Sequence, residues 1–316
     1  MMTRVWVEGR GVVLEEPTVV ARLAKSRTRS KKEKDQLVAS GQKAWEMWLK
    51  EPSQVEVVFP IRAGAIVDYQ ALGWWIGEVM RAVVAIPARE PKWLKTEVHI
   101  VSSVGGSEVN ERAISRLWRE AGVGEVRWYD MFAMLGRGVY GKENFKARLI
   151  VDIGKDTTRG AYVTESGVVV ERKLPLGGVA MSEALVGFVR MKYGIALGFR
   201  QADRIRIKAG GIVRGWNLTE RSPITVKVGQ AEVVEAIAPV VMRIGGLIRE
   251  IIGELPLEIA EDLVSEGVVL SGGGAGQIGL KTMLMEELGL GVAVSEELER
   301  TAIRGLAVLV WGEDAK

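Results

Sequence analysis

Short valine- and isoleucine-rich runs alternate along this chain with longer stretches whose apolar residues recur every three or four positions. The first pattern belongs to strands with one or both faces buried, the second to amphipathic helices. Residues 3–24 read as a β-hairpin turning at "VEGRG", 39–50 as a short helix that Pro52 closes, and 69–86 as a helix carrying Trp74 and Trp75. Both tryptophans are expected to fill a core or an interface. A strand at 97–103, a helix at 107–122, a strand at 125–130 and a short helix around 131–138 complete the first half. "RLIVDI" then opens a second strand-rich block. It is followed by a helix at 180–194, an irregular segment at 213–228 and a long helix at 230–255. A buried strand at 267–274, a helix at 276–289, a short strand and a last helix end the chain. Strands and helices alternating in this way predict an α/β protein whose helices cover its sheets.

The pattern repeats. Gly11-Val12-Val13-Leu14-Glu15 matches Gly167-Val168-Val169-Val170-Glu171 at one constant offset (167 − 11 = 156). Two halves therefore begin with the same hairpin, and such self-similarity outranks any local signal. The second hairpin is introduced by the strand and turn "RLIVDIGKD", whereas the first is preceded only by Met1 and Met2. The expectation is that the first half lacks one strand and one Asp-Gly turn.

Composition narrows the chemistry. The 316 residues suit two domains, and 47% hydrophobic content with 26% charge describes a packed protein. With no cysteine, a disulfide framework, thiolate metal sites and cysteine catalysis are excluded, and a single histidine argues against a histidine metal site or a Ser-His-Asp triad. His99, in "TEVHIV", reads as a strand residue. Neither a signal peptide nor an uncharged run of about 20 residues is visible, so a cytoplasmic protein is expected. Much of the basic surplus lies in Lys25 to Asp35, which reads as a solvated loop or as an arm for an anionic surface.

Two motifs stand out. "VDIGKDTTRG" runs from an apolar strand into an Asp-x-Gly turn with two hydroxyl residues. Such a turn can cradle a phosphate on its amides while its carboxylate holds a metal through water. Asp152, Gly154, Lys155, Thr157 and Thr158 are the candidates there, although the side chains of Lys155 and Asp156 stiffen a loop that favours glycine, and Asp156 repels an anion. A hairpin without ligand remains the alternative. "VVLSGGGAGQIGL" carries a buried strand into Gly272, Gly273 and Gly274, which reads either as ligand approach or as tight strand–helix packing. It matches neither the P-loop nor the dinucleotide fingerprint. Asp130, after the strand "RWY", could orient a water or simply occupy a turn.

These segments, with "RAGAIVDY", "LPLGGVAMSEALVGFVRMKYGIALGFRQADRIRIKAGG" and "VRGWNLTERSPITV", fall in the order and spacing of the MreB/Mbl family of bacterial actin homologues, which the chain resembles over nearly its full length. The resemblance implies an actin-like fold of duplicated ribonuclease-H-like α/β domains, here 1–147 and 148–316, around a cleft, with the first strand of the N-terminal half missing or truncated. It implies an ATP–Mg2+ site and filaments at the inner membrane. It assigns Asp130 and Thr158 to catalysis, Asp152 to the metal, and Asp152, Gly154, Lys155, Thr157 and Gly272 to Gly274 to the nucleotide.

The departures from the family pattern gather in that cleft. The first phosphate loop, which should end just before Thr3, is absent. Arg159 stands at an acidic position of the second loop, Asp130 at a glutamate, Val179 at an acidic residue and Phe199 at a glutamate. The segment around "GGIVRGWN" is also shorter than usual. Hydrolysis needs metal, oriented water and pre-organised charge together. The expected function is a divergent MreB-like cytoskeletal protein of cell shape with weak or absent ATPase activity, partnered by itself or an MreB-type paralogue, peripheral to the membrane and without specific nucleic acid. The alternatives are an active filament ATPase whose N-terminus lies upstream, a small-molecule kinase of the same superfamily, and a basic nucleic-acid-binding module.

Overall fold

The computed structural model describes residues 2–23, 36–50, 54–62, 64–84, 96–101, 107–141 and 147–312. The chain divides into two compact units, Met1–Met134 with Leu306–Lys316, and Leu135–Gly305. The basic segment Lys25 to Asp35 lies outside the described residues.

The first unit starts with β1 (Met2–Val7) and β2 (Gly11–Pro17), followed by β3 (Val20–Leu23), β4 (Leu37–Ser40), α1 (Gly41–Lys50) and β5 (Val55–Val58). The short pair β6 (Ile61–Arg62) and β7 (Ala65–Ile66) precedes α2 (Tyr69–Val84), β8 (Glu97–Val101), α3 (Glu108–Glu120), β9 (Glu125–Tyr129) and α4 (Met131–Tyr140), which passes into the second unit at Leu135. Its core forms where α2 and α3 lay Leu72, Trp75, Ile76, Ile114 and Leu117 against Val5 of β1, Ile100 of β8 and Trp128 of β9. Trp75 is 3% exposed and its Nε1 donates to Thr3 Oγ1 at 3.2 Å, the core role expected of it. His99 is a strand residue of β8 as expected, its Nδ1 2.8 Å from Tyr129 Oη on the neighbouring β9. A small sheet ordered β4-β3-β5, unforeseen as such, packs on α1.

The second unit holds β10 (Arg148–Ile153), β11 (Thr158–Thr164), β12 (Gly167–Leu174), α5 (Gly178–Tyr193), β13 (Ile195–Ala196), α6 (Phe199–Ile207), β14 (Gly211–Asn217) and β15 (Pro223–Val228). Then come α7 (Gln230–Gly253), α8 (Ala260–Glu266), β16 (Val268–Ser271), α9 (Leu280–Leu288), β17 (Val292–Val294) and α10 (Thr301–Trp311), whose residues from Leu306 onward are counted with the first unit. Its main sheet has the order β12-β11-β10-β16-β17: an antiparallel meander extended by two strands parallel to β10. Strands β10 and β16 are buried almost throughout, which explains their continuous apolar runs. Ile237, Val241, Ile244, Ile248 and Ile251 of α7 close the core from one side. A second sheet, β13-β14-β15, builds a separate core with α5 and α6.

The duplication is visible in atomic detail. Both hairpins are antiparallel and both skip one residue of their second strand: Val13 between the Val5–Leu14 and Trp6–Val12 pairs, and Val169 between Tyr162–Val170 and Val163–Val168. Those bulge residues are related by the same offset (169 − 13 = 156), as are Gly11 and Gly167, both at positive φ. Bulges bend and twist a strand, so a shared one marks a shared frame. Each unit also holds a parallel pair, β8–β9 in the first and β16–β17 in the second. In the second unit β10 joins hairpin to pair; in the first, no strand among the described residues joins β1 to β8.

Two expectations need correction. Residues 213–228 are not irregular but the core of the β14–β15 hairpin, whose alternation is interrupted by Gly215, Pro223 and a long turn. Asn217 Oδ1 caps that turn by accepting from the amides of Thr219 and Glu220 at 2.9 and 3.0 Å. The helix expected from residue 276 starts only at Leu280, because Gly273–Gly276 form a 3-10 turn and Gly279 sits at φ +80°.

Candidate functional site

The two glycine-bearing motifs, more than a hundred residues apart in sequence, are neighbours in the second unit. Strands β10 and β16 run parallel with Asp152 opposite Ser271, so both motifs leave the carboxyl ends of adjacent parallel strands. That edge of an open α/β sheet is where backbone can surround a ligand.

The turn between β10 and β11 is built tightly. Gly154 N–H donates to Thr157 O at 2.9 Å. Behind it, the first amides of α5 hold the turn: Gly178 N–H donates to Gly154 O at 3.0 Å and Val179 N–H to Lys155 O at 2.9 Å. A Cβ on Gly177 would stand 2.4 Å from Gly154 O, so only glycine admits this clamp. The α5 N-terminus thus spends its dipole on carbonyls of the turn. Lys155 and Asp156 are exposed at the tip, Thr157 is half-buried, and Thr158 is fully buried with its hydroxyl donating to Leu176 O at 2.8 Å.

Asp152 is the electrostatic centre of the site. Burial pushes its carboxyl up to about 6, and the nearby guanidinium of Arg159, its pairing partner across β10 and β11, pulls in the opposite direction. Arg159 is itself committed to Glu171 of β12, with Nε 2.8 Å from Oε1.

The triple glycine lies against this carboxylate. A Cβ on Gly272, which has φ +82°, would come within 2.7 Å of Asp152 Oδ1 and 2.6 Å of Ile153 O. One on Gly274 would meet Ile153 Cγ2 at 2.5 Å. Close approach of two backbones is therefore one reason for these glycines. Gly272 N–H donates to Leu298 O at 2.8 Å, so the segment before α10 covers part of the turn.

Residues that motif reading missed support the site from below. Arg206 of α6, 7% exposed, donates from Nη1 to Gln277 Oε1 at 2.7 Å, from Nε to Ser182 Oγ at 2.8 Å and from Nη2 to Asp203 Oδ1 at 2.8 Å. It ties the glycine turn to α5 and α6. The arginine-rich look of "FRQADRIRIK" gives no hint that this one arginine points inward.

Asp130 belongs to the first unit, exposed at the start of α4. Its Oδ1 accepts from the amide of Ala133 at 2.8 Å, an N-cap that any turn aspartate performs. An open cavity of about 720 Å³ in the first unit is lined by Lys43, Trp74, Glu78 and Arg81, among others, and contains none of the residues singled out by motif.

The chemistry of the donor set decides what fits. Among the described residues no group of three acidic or histidine side chains could hold a metal. A magnesium ion fits only as Mg2+ usually binds, through one carboxylate and the phosphates of a nucleotide. For those phosphates the site offers a tight Gly-containing turn, the Lys155 side chain and a glycine-lined floor.

Comparison with known proteins gives a single direction. The sequence model of the MreB/Mbl protein family matches residues 1–314. The cell shape-determining protein MreB of Escherichia coli K12 is 31% identical over 315 residues, covering 96% of this chain and 88% of that protein. The cell shape-determining protein Mbl of Bacillus subtilis is 25% identical over 98% of this chain and 92% of its own length. Among solved structures, MreB5 of Spiroplasma citri bound to AMPPNP superimposes with a TM-score of 0.83 at 22% identity, covering 98% of this chain and 92% of the other. The MamK double helical filament gives 0.69 at 19% identity over 94% and 92%. The fold is actin-like, and the chain belongs to the MreB/Mbl family.

Proposed function

We propose that this protein is a cytoskeletal determinant of cell shape that assembles with itself or an MreB-type paralogue, and that it keeps a weakened nucleotide site. The juxtaposition of the Asp152–Thr158 turn with Gly272–Gly274 at the ends of two parallel strands carries the reading. Its relatives are named as cell shape determinants, and MreB5 of Spiroplasma citri is described with AMPPNP and with ADP.

In this reading the duplicated halves 1–147 and 148–316 are the two domains. The turn and Lys155 would hold the polyphosphate of ATP, Gly272 to Gly274 would take the nucleoside, and Asp152 would hold Mg2+ through water, the charge of the ion stabilising the phosphates. Asp130 is the residue that would orient a water, and Thr158, by its burial, supports the turn from inside. Three features weaken catalysis. Arg159 places positive charge beside the carboxylate that would face the metal. Asp152 has a raised pKa, and Asp156 brings a negative charge to the phosphate turn. The protein is expected to work in the cytoplasm, at or near the inner face of the membrane; no helix among the described residues is long and apolar enough to cross one.

Thermal melting with and without ATP–Mg2+ tests the site. A small but saturable rise in Tm at millimolar ATP is expected, abolished in Gly272→Val, with no phosphate release above background. No shift at any ATP concentration would remove the nucleotide from this reading; steady turnover would replace it with the active ATPase.

A further inference from the structure

The two turns of the candidate site are joined at both of their ends. On the sheet side, β10 and β16 pair in parallel, so the turn after Ile153 and the turn after Ser271 start side by side. On the far side, the phosphate turn is clamped by the first amides of α5, where Gly178 and Val179 donate to the carbonyls of Gly154 and Lys155. The glycine turn ends in the 3-10 segment Gly273–Gly276 and is followed by Gln277.

Arg206 of α6 stands between those far ends. Its Nη1 donates to Gln277 Oε1 at 2.7 Å, and Gln277 Nε2 donates back to Arg206 O at 3.4 Å. Its Nε donates to Ser182 Oγ at 2.8 Å, one turn into α5, and a Cβ on Gly178 would stand 3.3 Å from Nη2. The guanidinium therefore lies against the same turn of α5 that clamps Gly154 and Lys155. Nη2 also donates to Asp203 Oδ1 at 2.8 Å. Arg206 and Gln277 are each 7% exposed, so the tie is shielded from water, where a satisfied polar network holds its geometry firmly. A closed circuit results: β10, phosphate turn, α5, Arg206, Gln277, glycine turn, β16.

Stability is a poor reason for such a residue. A buried guanidinium gives up its hydration, and exchanging a buried charged cluster for apolar side chains of like volume is often neutral. Geometry is the better reason, because one rigid plane of donors fixes three segments at once.

We propose that Arg206 is a positioning residue, which holds the glycine turn and the phosphate turn at the separation that a nucleoside triphosphate spans. The proposal rests on the nucleotide reading above and deepens it by naming the group that joins the two half-sites. A ligand that touches both turns gains from their fixed separation, since it does not have to order them on binding. A ligand that touches one turn gains nothing. Arg206, acting through Gln277 and α5, thus favours a nucleoside joined to a polyphosphate over free polyphosphate.

Thermal-shift titrations of the full chain in the presence of Mg2+ test this, with ATP and inorganic tripolyphosphate as probes. Arg206→Met and Gln277→Met are each expected to weaken ATP about tenfold, the equivalent of one lost hydrogen bond to a charged group. The double variant binds ATP no more weakly than either single one, because both changes remove the same tie. Its apolar pair also keeps the fold where a lone buried partner does not. Tripolyphosphate shifts wild type and variants alike. Variants whose unliganded Tm falls while their ATP affinity stays at the wild-type value overturn the proposal and leave the nucleotide reading standing. An equal loss of tripolyphosphate binding overturns it too, since Arg206 would then act by its charge and not as a tie. A wild type that ATP does not stabilise overturns the nucleotide reading and this inference with it.

Discussion

Asp152 and Glu232 show how two carboxylates in one unit come to have opposite pH behaviour. Asp152 is raised to about 6 by burial, so its ionised form opposes folding. The native state holds that proton where the unfolded chain has released it, and stability falls as pH rises from about 4 through 6. Asp152→Asn is therefore expected to raise stability by about 1–3 kcal/mol at pH 7.5, with the gain fading toward pH 4. Denaturant melts at the two pH values check this; a constant gain would show that charge is not the cause. Glu232 is lowered to about 2 by hydrogen bonds from Lys192 at 2.7 Å, from Tyr193 Oη and from Gly229 N–H at 2.8 Å. Its contribution is complete above its unfolded pKa and is lost as pH falls toward 2. Glu232→Gln should cost about 1–2 kcal/mol at pH 7 and little at pH 2, since the acid titration then coincides with that of wild type. Motif reading found Asp152 because of its turn. It missed Glu232, whose three donors come from two different segments.

At the level of elements, the same residue type has opposite effects in different places. Gly274→Ala drives a Cβ into Ile153 backbone and side chain and should lower stability by about 2 kcal/mol or more, while Gly187→Ala, exposed in the middle of α5 with open space around its Cβ, should raise it by about 0.5–1 kcal/mol. Thermal melts of the two variants, moving in opposite directions, check the assignment. The contrast also explains what was legible. Long amphipathic helices such as α2 and α7 were readable because their apolar period follows from the face they bury. The β14–β15 hairpin was not, because Gly215 and Pro223 look like loop residues unless the partner strand is known. The glycine run was recognised as a special backbone, but whether a ligand or Ile153 required it is a question about a strand more than a hundred residues away.

Across the whole molecule, local pattern and tertiary placement divide the explanation. From residues alone came the duplication at an offset of 156, the α/β alternation, the family and the list of motif residues, because each is encoded in short-range order: period, turn chemistry and self-similarity. The structure added the common bulge at Val13 and Val169 and the first unit's lack of a strand between β1 and β8 among the described residues. It also showed the inward turn of Arg206 toward Ser182, Asp203 and Gln277. Sequence by itself determined which residues want to be buried and which turns the chain can make. Only the tertiary structure decided which turns meet, which carboxylate loses its water and which charges face the same way. Those depend on strand order and helix direction, and neither is written in any short stretch of the chain.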